Sequence, residues 1–133
     1  MMLPRISTNV SVYDLEPLAN PLALFLQSID RFAPLHADTL TLPSHGKPFT
    51  GLHERIRQLH QHHQERLDEV IEACTEKPTT AREIVTIMFK RDLDLHQLTF
   101  AQGEALAHLH LLWFTGKLVR NLQAGEYRFS APA

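Results

Sequence analysis

Leu118-Val119-Arg120-Asn121-Leu122, a turn through Gly125, and Tyr127-Arg128-Phe129 decide the fold of this chain of 133 residues. Tyr127 and Phe129 share one face of an extended segment and Arg128 takes the other, the alternation of a small β-hairpin. Just upstream, Gly116 is placed to close a helix, since glycine accepts the left-handed backbone of a helix end. That helix is expected to open at the capping-box pair Thr99 and Gln102 and to run through Ala105, Leu109, Leu112 and Trp113. Asp92, Asp94 and His96 then fall in a connecting loop. A second capping box, Thr80 with Glu83, opens an earlier helix that carries Ile84, Val85 and Met88 on one face.

Further out, residues 51–76 form the clearest helix. Leu52, Ile56, Leu59, His63, Leu67, Val70 and Cys74 recur at intervals of three or four and make one apolar seam. Arg55, Arg57, Glu65, Asp68, Glu69 and Glu72 are expected on its solvated surface, and Pro78 ends it. Three helices followed by a hairpin is the winged-helix order, here over residues 50–133, although the order alone also allows other small bundles. Residues 1–49 hold six of the eight prolines and read as irregular chain around one helix from Asn20 to Phe32. Asn20 can cap that helix, with Pro21 in its first turn. Its apolar face is Leu22, Phe25, Leu26, Ile29 and Phe32. Thr39-Leu40-Thr41-Leu42 alternates as a short half-buried strand would, and Pro43 and Gly46 then force a turn.

Composition narrows the function. With 44% hydrophobic and 21% charged residues the chain can bury a core. A net charge of -2, from 13 Lys+Arg and 15 Asp+Glu, argues against a protein that coats nucleic acid or an anionic membrane. The single cysteine, Cys74, closes no internal disulfide, which suits a reducing cytoplasm. No uncharged stretch reaches the roughly 20 apolar residues of a membrane span, and the opening Met1-Met2-Leu3-Pro4-Arg5 lacks the apolar core of a signal peptide.

Nine histidines invite a search for a metal site. His60 and His63 lie one turn apart on a helix, within reach of a shared ion, but a dependable zinc site needs three or four ligands and none converges there in sequence. The plainer expectation is that His63 fills the seam between Leu59 and Leu67 while His62 faces water. His108 and His110 are two apart and so fall on different helix faces. His45 differs, because it stands in Leu42-Pro43-Ser44-His45-Gly46-Lys47-Pro48-Phe49 at the carboxyl end of the expected strand. That is where α/β enzymes place ligands and catalytic groups.

The run from Leu42 to Phe49, followed by Arg55-Ile56 and His62-His63-Gln64-Glu65-Arg66-Leu67, resembles the carboxyl part of metallo-β-lactamase-fold hydrolases. The glyoxalase-II-like branch with an appended winged helix is the nearest group. Thr80-Ala81-Arg82-Glu83-Ile84, Glu104-Ala105-Leu106-Ala107-His108-Leu109 and Gly116-Lys117-Leu118-Val119 fit its small domain, and Ile6-Ser7-Thr8-Asn9-Val10-Ser11-Val12 resembles the stretch after its metal-bridging aspartate. Ser44 replaces the usual glycine of the motif. The resemblance implies an α+β, mostly α fold, in which residues 1–49 are the helix and strand remnant of an αββα sandwich and residues 50–133 the winged helix. It implies that His45 is the last zinc ligand of an intact enzyme that hydrolyses an ester, thioester or phosphodiester of small-molecule size by zinc-bound hydroxide. The family's His-x-His-x-Asp-His motif is absent, and the one His-x-His, His108-Leu109-His110, runs on into Leu111-Leu112-Trp113. The chain is therefore expected to be a truncated, inactive part that holds no zinc by itself, since one imidazole cannot hold a catalytic metal.

A winged helix also admits a nucleic-acid-binding or protein-interaction reading. Residues 79–130 carry six Lys/Arg against five acids, and the expected recognition helix from Thr99 to Thr115 has no Lys or Arg, so nucleic acid is not the expected partner. The apolar face of the first helix, if deprived of a covering sheet, is expected to be buried by self-association or by folding back onto the three-helix domain.

Overall fold

The computed structural model describes residues 2–133 as four helices and one two-stranded antiparallel sheet. In chain order these are α1 (Pro21–Asp30), α2 (Leu52–Glu76), α3 (Ala81–Met88), α4 (Leu95–Phe114), β1 (Val119–Gln123) and β2 (Glu126–Ser130). The expected seam of α2 is buried at every position, from Leu52 to Cys74. Arg55 is buried as well, against the expectation that it is solvated. Its guanidinium finds carbonyl partners in the N-terminal segment, which removes the cost of taking a cation out of water.

Thr80 and Glu83 form the expected capping box at the start of α3. The second box is displaced. Asp94 and Gln97, not Thr99 and Gln102, cap α4, so Asp94 is a cap and His96 lies in the first turn rather than in a loop. Thr99 instead donates its hydroxyl back to the His96 carbonyl inside the helix. The far end of α4 closes as read: Gly116 has φ +76°, and Gly116 and Lys117 donate back to Trp113 and Leu112, a Schellman closure. The hairpin pairs Leu122 with Tyr127 and Arg120 with Phe129. Ala124 and Gly125 between them both take positive φ, the two-residue turn that matches strand twist. Thr79 adds a bridge to Phe129 on the other edge of β2.

Thr39–Leu42 is not a strand. Only Thr41 pairs, with Phe49, because no neighbouring strand meets the rest, and Leu40 and Leu42 are exposed. Asn20 precedes α1 without a side-chain cap, and α1 stops at Asp30, two residues short of the expected end. Leu22, Phe25 and Ile29 are buried within the chain, in a hydrophobic cluster that runs from Met2, Val10 and Val12 through all four helices to Leu118 and Phe129. That face is thus covered mostly by the chain's own core, the second of the two coverings expected for it, with Leu26 partly buried and Phe32 45% exposed. The N-terminal segment joins this core by close approach: Val12 N–H donates to the Gly103 carbonyl of α4 at 3.1 Å. A Cβ at Gly103 would stand 2.7 Å from the Ser11 side chain. Among the described residues no helix is long and apolar enough to cross a membrane.

Candidate functional site

His45 is presented by a closed turn. Thr41 and Phe49 exchange both backbone hydrogen bonds, at 2.8 and 3.0 Å, and the seven residues between them bulge outward with Gly46 at φ +88°. A Cβ at Gly46 would come within 3.0 Å of the Pro4 ring, so glycine is needed there for both space and backbone. The turn faces the segment Pro4–Ile6 across an open cavity of about 730 Å³. That segment is held from beneath by Arg55, whose Nε donates to the Leu3 carbonyl at 2.6 Å and whose Nη2 donates to the Ile6 carbonyl at 2.9 Å. His45 is exposed and Lys47 stands beside it on the same cavity wall.

The residues present do not by themselves fit a zinc ion. Among the described residues no three His, Cys, Asp or Glu side chains come together as a set that could hold a metal. The other sequence candidates are separated by the fold. His60 bonds Asp30 of α1 at 2.6 Å near the surface, whereas His63 turns inward, so the pair shares nothing. His110 donates from Nδ1 to the Ala19 carbonyl at 2.8 Å, which ties α4 to the chain before α1. Cys74 is buried, and that burial pushes its thiol up to about 11, leaving it neutral and inert.

A second cluster lies between α2, α4 and the N-terminal segment. His63 and His108 are both buried, their rings 5.4 Å apart, with His63 Nδ1 3.3 Å from His108 Nε2. Ser7 Oγ lies 3.0 Å from His63 Nε2, and His108 Nδ1 donates to the Glu104 carbonyl at 2.8 Å. Burial pushes His63 down to about 3 and His108 to about 4, so both are neutral imidazoles at neutral pH. Burial also raises the Glu104 carboxyl, against an Asn9 side-chain hydrogen bond that lowers it. A smaller cavity of about 190 Å³ opens on this cluster and is also lined by His62, Arg66, Met88 and Phe89. The sequence placed His63 in the core correctly but not its pairing with His108. The two are 45 residues apart, and no spacing rule joins them.

Residues 67–132 match the family model described as Metallo-beta-lactamase-like, C-terminal domain. The chain is similar to a beta-lactamase domain protein from Burkholderia ambifaria, at 60% identity and a TM-score of 0.96 over 98% of this chain. It is similar also to a metallo-beta-lactamase family protein from Thermus thermophilus, at 32% identity and a TM-score of 0.81, again over 98% of this chain. The chain spans 39% and 40% of the lengths of those two proteins. No curated protein matches it.

Proposed function

We propose that this chain, whose residues 67–132 match the model of a metallo-beta-lactamase-like C-terminal domain, serves as the carboxyl-terminal part of a metal-dependent hydrolase of that superfamily. The observation that carries this is the 60% identity over almost the whole chain to a beta-lactamase domain protein, with its turn around His45 opening on a cavity. In such a protein His45 contributes one zinc ligand from its glycine-braced turn, and Pro4–Ile6 form the facing wall. The substrate class is an ester, thioester or phosphodiester, and the protein works in the cytoplasm.

His45 alone does not hold a metal, so the chain by itself is inactive as a metal-dependent hydrolase and no step of that hydrolysis is carried by its residues through an ion. What the chain does supply is position: Arg55 fixes the Leu3 and Ile6 carbonyls, and the Thr41–Phe49 bridge fixes the histidine opposite them. The α2–α3–α4–hairpin unit acts as an accessory winged helix of the glyoxalase-II-like branch and shapes the substrate entrance. A nucleic-acid role for that unit has less support. From Ala101 to Trp113 no residue of α4 is exposed, and α4 contains no Lys or Arg, so it has neither the access nor the charge to enter a groove.

A chimera tests the reading. This chain replaces the corresponding part of the Burkholderia ambifaria relative, and metal content and hydrolysis of a simple ester panel are measured. The chimera should bind metal, and His45→Ala should lower both metal content and turnover at least about tenfold, the usual scale for a lost metal contact. Unchanged metal content in the His45→Ala chimera contradicts the assignment.

A further inference from the structure

Ser7, His63 and His108 form one line of hydrogen bonds that the metal reading does not use. The Glu104 carbonyl can only accept, so His108 carries its proton on Nδ1 and offers a lone pair at Nε2. His63 then donates from Nδ1 toward that lone pair, which leaves its own Nε2 lone pair aimed at the Ser7 hydroxyl 3.0 Å away. Each link fixes the tautomer of the next, starting from an end that has no choice. The hydroxyl of Ser7 has one competing acceptor, the Thr8 carbonyl at 3.1 Å. A hydroxyl held against a base, with the base oriented by a third group, is the arrangement that activates a nucleophile.

Ser7 is only half-buried, and it lines the cavity of about 190 Å³, whose size suits a short acyl group. Met88 and Phe89 give the cavity an apolar side. Arg66 lines it too, paired with Glu69 at 3.0 Å, and its Nε–H has no acceptor among the described residues. A cation thus lines the same cavity as Ser7, where it can offer a donor to developing negative charge.

We propose that Ser7 is a nucleophile toward small activated carboxylic esters, with His63 as its general base and His108 as the residue that positions His63. Ser7 Oγ bonds to the acyl carbon as its proton passes to His63 Nε2. The acyl–oxygen bond of the ester then breaks, and the departing alkoxide takes that proton, leaving an acyl-serine and a free alcohol. While His63 is charged, its Nδ1–H is held by the neutral His108. The charged and titratable groups around the pair are His60, His62 and Arg66 from α2 and Glu104 from α4. Burial keeps His63 neutral but makes it a weak base, so the expected behaviour is one slow acylation per chain rather than fast turnover.

The test is incubation of the full chain with p-nitrophenyl acetate, followed by intact-mass measurement and peptide mapping. One acetyl group should appear on the peptide carrying Ser7, at least about tenfold faster than on Ser130, a half-buried serine whose hydroxyl bonds no imidazole among the described residues. The rate per folded chain should be flat from pH 5 to pH 8, and Ser7→Ala should abolish the adduct. His63→Gln and His108→Gln should each slow it about tenfold or more. The Ser7-to-Ser130 ratio within the unaltered chain decides the matter even where a histidine variant does not fold. Equal labelling of Ser7 and Ser130, an adduct that survives Ser7→Ala, or a rate that climbs through pH 6.5 overturns the proposal.

Discussion

Arg55 Nε donates to the Leu3 carbonyl oxygen at 2.6 Å, and through that bond helix α2 fixes the segment opposite the His45 turn. Leu3 is buried, so water cannot take the place of a lost donor.

Arg55→Met keeps the packing of the side-chain stem but strands the Leu3 carbonyl. The expected cost is about 1–3 kcal/mol, the penalty of a buried unsatisfied acceptor. Arg55→Lys should recover only part of it, because an ammonium lacks the planar fork that reaches Leu3 and Ile6 together. Urea denaturation of the three proteins checks the order arginine, lysine, methionine. Equal midpoints contradict the clamp.

Gly103→Ala forces a methyl group to within 2.7 Å of Ser11 Cβ and Oγ, where the N-terminal segment crosses α4. Alanine is the better helix former, so propensity alone predicts a gain of about 1 kcal/mol. The crowding is expected to win, with a net loss of about 1–3 kcal/mol. Thermal unfolding reads the sign directly, and a raised midpoint means that the segment does not press on α4.

Asp94, not the expected Thr99, caps α4. Asp94→Ala should destabilise by about 1 kcal/mol, while Thr99→Ala should change stability by less than about 0.5 kcal/mol. Paired urea melts separate the two, and a larger effect at Thr99 restores the later helix start.

Stability should fall in mild acid. An unfolded histidine takes a proton near pH 6.5, whereas His108 and His63 in the folded chain are held down to about 4 and about 3. Below pH 6.5 the unfolded state therefore binds more protons, and the stability present above that pH drains as pH falls toward the folded values. Each histidine contributes a slope of up to about 1.4 kcal/mol per pH unit. Between pH 6.5 and 4.5 this precedes the protonation of ordinary carboxylates. Urea midpoints that stay level from pH 7 to pH 4.5 contradict the buried neutral pair.

Local rules reached the helices and the hairpin. The α2 seam, the Thr80–Glu83 box, Gly116 and the Gly125 turn are each decided by neighbours within four residues, and periodicity reads such features. The errors lie where a distant partner decides. Arg55 looks like a surface cation until the Leu3 and Ile6 carbonyls, 52 and 49 residues away, are brought to it. Thr39–Leu42 alternates like a strand, but alternation supplies no second strand, and only Phe49 arrives. At α4 the Thr99–Gln102 pair fits the capping rule, but the structure starts the helix earlier, at the Asp94–Gln97 box, in a stretch that reads as a loop from sequence. The His45 turn was legible as a motif, while the Ser7–His63–His108 line required three segments to meet.

Zinc stoichiometry of the purified chain, measured by elemental analysis after dialysis against zinc-containing and then metal-free buffer, probes the coordination argument most directly. His45 is exposed and, among the described residues, has no convergent set of donors around it, so the zinc content should fall far below one ion per chain. One tightly retained ion per chain, lost on His45→Ala, would show that these residues complete a metal centre unaided and would contradict the account.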